Sequence, residues 1–235
     1  YSFLQFNRDT MTEVALIDHN GEGEATANIQ LCTAHWYGGN REQSCENTVK
    51  SVKKLLGGIQ IDGYYELNMS EIPKLNNMVD GVTVTLEDDF SKKYPKMKKG
   101  ATINLDDEQA YAYVHDRYGV GDEENTSRMK RQQQYMTGFF KKLQEKVKAN
   151  PNYANEVFES LQDVSTTDIT IGKISNISNI FASGTDKGIF ELAGKSKIGQ
   201  ALGDEIDHME FYVNKKAMVS TMSELFGIVE QKNKE

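Results

Sequence analysis

The stretch Val114-His115-Asp116-Arg117-Tyr118, followed by Asn125-Thr126-Ser127-Arg128-Met129-Lys130-Arg131-Gln132, concentrates fixed positive charge in a chain of 235 residues whose formal net charge is −8. On a helix, Arg128, Arg131 and Gln132 stand at i, i+3 and i+4 and share one face. Arg117 precedes that helix across a loop containing Gly119 and Gly121. Planar guanidinium forks brought to one spot suit bidentate capture of phosphate or carboxylate oxygens. The same residues also read as a solvated basic face balanced by Asp122, Glu123 and Glu124, a common surface arrangement of little energetic weight.

A second stretch bears on that choice. Asn7-Arg8-Asp9-Thr10 follows the apolar run Phe3-Leu4-Gln5-Phe6, which sets an Arg-Asp pair at the end of an expected strand. In this order the two stretches resemble the LytR-CpsA-Psr family of cell-envelope proteins. That family carries Pro-Arg-Asp-Thr after a strand, then Arg-x-Arg and Asp-x-x-Arg-x-x-Arg-Gln. Between them, Ala34-His35-Trp36-Tyr37-Gly38-Gly39 is similar to the family's Ala-Tyr-x-x-Gly-Gly turn. Val79-Asp80-Gly81-Val82-Thr83-Val84 is similar to its Gly-Gly-Val-x-Val strand entry.

The resemblance implies a phosphotransferase that moves a glycopolymer from a polyprenyl-pyrophosphate carrier to a peptidoglycan hydroxyl, assisted by Mg²⁺. It implies that Arg8 contacts the pyrophosphate, with Asp9 orienting Arg8 or serving the metal or the acceptor hydroxyl. Arg117, Arg128 and Gln132 match the remaining phosphate-clamp positions, and Arg131 the basic residue before that glutamine. Arg8, Asp9, Arg117 and Arg128 are therefore the expected catalytic residues. Two positions depart from the pattern. His115 stands where the family has the first arginine of Arg-x-Arg, and an imidazole offers no bidentate fork. Asn125 stands where the family has an aspartate; it keeps a helix-capping side chain but brings no charge, and Asp122 is a candidate substitute. These departures motivate a second reading, a non-catalytic module that binds a lipid pyrophosphate or a wall polymer.

Tyr1 falls almost inside an expected strand, so a membrane anchor and the strands bearing the family's metal ligands are expected to precede this chain; the metal ligands themselves stay unassigned here. With 38% apolar and 26% charged residues, no apolar stretch approaches membrane-spanning length. A pI near 5.2 leaves no broad basic face to neutralise a nucleic-acid backbone, so no nucleic-acid partner is expected. The sequence shows no P-loop, no Gly-x-Ser-x-Gly, no dinucleotide fingerprint and no Cys/His set at local zinc spacing. The only cysteines, Cys32 and Cys45, read either as a local disulfide or as two buried thiols. The envelope setting that the resemblance implies favours the disulfide. His35, beside the lone Trp36, reads as packing the Gly38-Gly39 turn.

The elements that must position these groups follow from periodicity. Strands are expected at 3–6, 64–67, 82–86 and 209–213. Helices are expected at 25–35, 44–56, 70–79, 106–116, 126–149, 153–161, 174–181 and 217–226. Asp106 and Gln109 have the spacing of a capping box. Gly21-Glu22-Gly23-Glu24 signals a loop. Ala110, Tyr113 and Val114 form an apolar face, and Met129, Met136, Phe139, Phe140 and Leu143 are the expected inward residues of the long helix. They line either an ordinary core or a channel for an isoprenoid chain. Interleaved strands and helices indicate an α/β protein, expected as a layered α-β-α sandwich with a mixed central sheet. One domain is expected over 1–235, with 151–235 as its C-terminal part.

Overall fold

A computed structural model describes residues 1–23 and 25–227. Glu24, at the end of the expected Gly21–Glu24 loop, lies outside them. In chain order the elements are β1 (Phe3–Gln5), β2 (Met11–Ala15), β3 (Thr26–Gln30), α1 (Arg41–Leu55), β4 (Tyr65–Leu67), α2 (Ile72–Met78), β5 (Thr83–Thr85), β6 (Thr102–Asn104), α3 (Asp107–His115), α4 (Asn125–Ala149), α5 (Tyr153–Ser160), β7 (Ser165–Thr167), α6 (Ile171–Ser183), β8 (Ile189–Glu191), β9 (Gly194–Gly199), β10 (His208–Val213) and α7 (Lys215–Phe226). Strand pairs are both parallel (β1–β8) and antiparallel (β2–β3, β5–β6, β9–β10), so the fold is mixed α/β as expected.

The chain divides into two compact units, each discontinuous in sequence. The first holds Tyr1, Leu67–Ser165 and Ile169–Asp186; the second holds Ser2–Glu66, Thr166–Asp168 and the chain from Lys187 onward. Residues 151–235, read from the sequence as one C-terminal part, are shared between the two.

The first unit is organised by one apolar core. Val82, Val84 and Leu86 from the β5 strand region pack with Leu105, Tyr113 and Val114 around α3, and with Tyr135 and Phe139 of α4. Buried Asn76 is its polar hub. Its amide donates to the Leu105 carbonyl (3.0 Å), and its oxygen accepts from Val82 N–H (3.1 Å) and the Tyr135 hydroxyl (3.3 Å). Each such bond is worth about 1 kcal/mol net, but leaving Asn76 unpaired in this core costs more than forming the bonds gains. α3 starts with the complete capping box: Asp106 accepts from Gln109 N–H and the Gln109 side chain accepts from Asp106 N–H. At Gly81 (φ +77°), a Cβ would sit 2.6 Å from the Asn104 amide, so the turn into β5 needs glycine.

In the second unit, β2 and β3 pair antiparallel, and a single parallel bridge, Thr10–Phe211, sets β10 beside the start of β2. α1 packs on this sheet through buried Asn47, whose amide donates to the carbonyls of Ala15 (3.0 Å) and Ala34 (2.9 Å). Leu56, Leu192 and Met222 form a further apolar cluster.

Three expectations are corrected. Residues 25–35 are not a helix: they form β3 and a 3-10 turn, Leu31–His35. The alternation of buried Ile29 with exposed Asn28, and the pairing with β2, override an alanine-rich composition. The helix expected from residue 70 starts later: Asn68 caps a 3-10 turn at Met69–Glu71, and α2 begins at Ile72 with Pro73 in its first turn. On α4 the expected Phe139, Phe140 and Leu143 do face the core, but Met136 is exposed and the buried positions also include Arg131, Tyr135 and Val147.

Candidate functional site

The predicted residues fall in two groups, one in each unit. Arg8 and Asp9 occupy the turn between β1 and β2. The Asn7 side chain accepts from Asp9 N–H (2.9 Å), and the Asn7 carbonyl accepts from both the Thr10 N–H (3.0 Å) and hydroxyl (2.6 Å). Neighbouring backbone completes the clamp. Cys32 N–H donates to the Arg8 carbonyl (3.0 Å), Leu31 N–H to Thr10 (2.7 Å) and Phe211 N–H to Asp9 (2.7 Å). The backbone of the turn is thus fixed while the Arg8 side chain remains 53% exposed. Its Nε lies 3.6 Å from Asp9 Oδ1 and its Nη2 lies 3.7 Å from Cys32 Sγ. A guanidinium oriented by a carboxylate yet open to solvent is ready to bind an anion.

The second group occupies the corner where α3 turns into α4. A helix C-terminus leaves carbonyls without intrahelical partners, and here the α4 side chains supply donors. Arg131 Nε donates to the Tyr113 carbonyl (3.0 Å), its Nη2 donates to the Asp116 carbonyl, and Gln132 Nε2 donates to the Val114 carbonyl (3.0 Å). Arg131 also pairs with Asp88 and lies over the Phe90 ring, and it is only 1% exposed. Arg131 was expected to bind substrate or to be a surface charge; the structure makes it a buried brace. The cation at the end of α3 also complements the helix dipole.

Arg128 is half-buried and donates to Asn125 Oδ1 at 2.7 Å. Asn125 does not cap α4, since the N-cap is Glu124; it positions Arg128 instead. Asp122 does not replace the missing family carboxylate near Arg128. It organises the loop, accepting from Glu124 N–H (2.9 Å) and the Ser127 hydroxyl (2.7 Å), and these bonds hold its carboxyl below the usual range. Arg117 lies on the exposed Tyr118 ring (4.6 Å) and donates to its hydroxyl. His115 is half-exposed, stacks on Tyr111 (4.7 Å) and sits 3.2 Å from Asp116 Oδ1. Gly121 (φ +56°) lets the loop close over Asp88, where a Cβ would fall 2.5 Å from the carboxylate.

Sequence reasoning missed Asp88, Asp116 and Lys93. Lys93 lies 3.4 Å from Asp116, whose charge raises the lysine's affinity for its proton. Asp116 lies inside the Val114–Tyr118 stretch but has no expected role, and Asp88 and Lys93 lie in no motif stretch. Asp88 lies within the acidic run Glu87-Asp88-Asp89 that follows the Val82–Leu86 strand pattern, and nothing in the sequence singles it out from its neighbours.

The expected Cys32–Cys45 disulfide is absent: both cysteines are free. Their sulfurs face different partners, Cys32 toward Arg8 and Cys45 toward His35 Nε2 at 3.9 Å. A groove of about 520 Å³ lined by Asn76, Asn77, Asp80, Asp107 and Glu108 holds none of the predicted cations. Its carboxylates disfavour a phosphorylated ligand.

A sequence model of the LytR_cpsA_psr family matches residues 1–226. The chain belongs to the LytR-CpsA-Psr family. Solved structures of the same fold include the Lin1025 protein from Listeria innocua (19% identity, TM-score 0.66, covering 97% of this chain and 87% of that one). TagV of B. subtilis is similar at 20% identity and TM-score 0.68, covering 97% and 84%. TagT bound to LI-WTA is similar at 20% and 0.68, covering 96% and 78%. No curated protein matches the sequence. Membership of LytR-CpsA-Psr, a cell-envelope family, gives the protein a role connected with cell-wall glycopolymers. Among the described residues no helix is long and apolar enough to cross a membrane.

Proposed function

We propose that this LytR-CpsA-Psr protein is a phosphotransferase acting at the outer face of the membrane, transferring a glycopolymer from a polyprenyl-pyrophosphate carrier to peptidoglycan. The observation that carries the reading is Arg8: its turn is clamped by backbone hydrogen bonds, while its guanidinium is open and oriented by Asp9. In such a transfer an acceptor hydroxyl oxygen attacks the glycan-linked phosphorus. The P–O bond to the bridging oxygen breaks, and polyprenyl phosphate leaves with that oxygen. The charge spread over the non-bridging oxygens must be met by fixed donors. By the family motifs the candidate donors are Arg8 in the second unit and, separately, Arg117 and Arg128 in the first, with His115 as a weaker one. Arg131 and Gln132 act through the shape of the α3–α4 corner.

For Mg²⁺ the candidate protein ligand is a single carboxylate, Asp9. Among the described residues the one convergent three-ligand set contains a thiol and an imidazole, which suit softer ions. Asp9 is the carboxylate beside Arg8, and Mg²⁺ is commonly held by one or two carboxylates together with substrate phosphates. Asp9 would hold the ion with the pyrophosphate oxygens, and the ion would neutralise their charge.

The test is a transfer assay with a polyprenyl-pyrophosphate-linked glycan, peptidoglycan and Mg²⁺. Arg8→Ala should abolish product while the melting temperature stays near that of the parent, and Arg128→Ala should abolish it in a protein that still folds; full activity in both would end the reading. The use of Arg131 and Gln132 inside the fold favours a second reading, a module that binds such a carrier without turning it over. Saturable binding with no cleavage of the pyrophosphate would select it. TagT, a similar structure bound to LI-WTA, supports a glycopolymer ligand under either reading.

A further inference from the structure

His35, Cys45 and Glu66 come from three separate segments of the second unit. His35 ends the 3-10 turn after β3, Cys45 lies in α1 and Glu66 lies in β4. One donor atom from each lies within 4.8 Å of the other two. His35 Nε2 is 3.9 Å from Cys45 Sγ. A tetrahedral zinc ion, with Zn–N and Zn–O of about 2.0–2.2 Å and Zn–S of about 2.3 Å, sets its ligand atoms roughly 3.3–3.7 Å apart. Closing this set therefore shortens the donor separations by up to about 1.5 Å, shared between two side chains in each pair.

We propose that His35, Cys45 and Glu66 form a Zn²⁺ site, with water as the fourth ligand. A thiolate, an imidazole and a carboxylate are a borderline-soft donor set that suits zinc and is wrong for Mg²⁺ or Ca²⁺. The bland reading is a polar cluster already balanced, because Arg41 pairs with Glu66. That pairing shows instead that the spot attracts a cation. The Arg41 side chain is 53% exposed, so it can leave Glu66 for solvent at little cost. Cys45 is 4% exposed, which leaves it poorly placed to act as a nucleophile on a large substrate but well placed as an enclosed metal ligand. The ligands are ten and twenty-one residues apart in sequence, outside any local zinc pattern. The ion would tie the 3-10 turn, α1 and β4 together.

The experiment is titration of the metal-free, reduced protein with Zn²⁺ and with Co²⁺. Expected are one equivalent per chain, a thiolate-to-Co²⁺ charge-transfer band in the near ultraviolet, and quenching of Trp36, the sole tryptophan, next to His35. Zn²⁺ should protect Cys45, but not Cys32, from alkylation. The band should vanish in Cys45→Ser and persist in Cys32→Ser. Glu66→Gln, which keeps the side-chain shape at a partly exposed position, should weaken Zn²⁺ binding roughly tenfold or more. Arg41→Gln should tighten it by removing the competing cation. Absence of binding in the parent, a band unchanged in Cys45→Ser, or a Zn²⁺ affinity unchanged in Glu66→Gln overturns the site.

Discussion

Arg131 offers the sharpest separation between holding the fold and holding a ligand. The substitution Arg131→Ala strands Asp88, whose side chain is 14% exposed, and removes the donors to the Tyr113 and Asp116 carbonyls at the end of α3. Breaking a buried ion pair from one side costs about 3–5 kcal/mol, because the remaining charge stays desolvated. For a chain of this size, 1 kcal/mol moves the melting temperature by about 2–4 °C, so a fall of roughly 6–20 °C is expected. Arg128→Ala removes a half-buried group with a hydrogen bond to Asn125, worth about 1–3 kcal/mol at most. Calorimetric melting of both variants separates them. A double-mutant cycle with Asp88→Ala should return a coupling above about 1 kcal/mol. If Arg131→Ala melts within about 2 °C of the parent, or if the cycle shows no coupling, the brace assignment is wrong.

Arg8→Ala should change stability by less than about 0.5 kcal/mol, as expected for an exposed side chain, yet remove binding of polyprenyl pyrophosphate in calorimetry. His115→Arg supplies the fork that the family pattern has at that position and should tighten pyrophosphate binding by about fivefold, roughly 1 kcal/mol; weaker binding would show that His115 is there for its stacking on Tyr111. Asp106→Ala removes one arm of the capping box and should cost about 0.5–2 kcal/mol in denaturant unfolding. Asp122 is held below its ordinary value by the Glu124 N–H and the Ser127 hydroxyl. Its contribution to stability is therefore present above the unfolded carboxylate value, near pH ~3.9, and lost as pH falls through the lower folded value. Asp122→Asn should flatten that part of the acid decline in melting temperature; an unchanged acid limb would remove Asp122 from the account.

Elements whose signals are local were legible. The Asp106–Gln109 box started α3 where expected, and Asn125–Ala149 formed the long helix up to Pro151. The second unit was harder to read because its strands depend on partners far along the chain. β1 pairs with β8, and β9, Gly194–Gly199, is almost wholly exposed and polar. Such a strand carries no alternation to detect. β3 alternates partly, but a five-residue strand loses to an alanine-rich helix pattern until its pairing with β2 is known, and no element is expected from the sequence at β2 itself. The disulfide failed for a related reason. Two cysteines near each other in sequence satisfy a loop-length argument, yet bond formation depends on where each sulfur points. The His35–Cys45–Glu66 set shows the reverse case, a grouping that exists only once a 3-10 turn, a helix and a strand have come together.

The same distinction divides the residues of the α3–α4 corner. The spacing of Arg128, Arg131 and Gln132 correctly placed them on one helical face, but a shared face does not state what that face meets. Here it meets the end of α3, whose carbonyls need donors as strongly as a phosphate would. Arg131 and Gln132 fill that need, and the cost of an unpaired buried carbonyl fixes them in it. Arg128 lies one turn closer to the helix start, donates to Asn125 and is half-buried where Arg131 is fully buried. A motif rich in forked donors can therefore encode its own scaffold. Charge alone would rank Arg128 and Arg131 equally as ligand contacts; burial ranks Arg128 first and assigns to Arg131 the stiffness of the corner on which Arg117 and His115 stand.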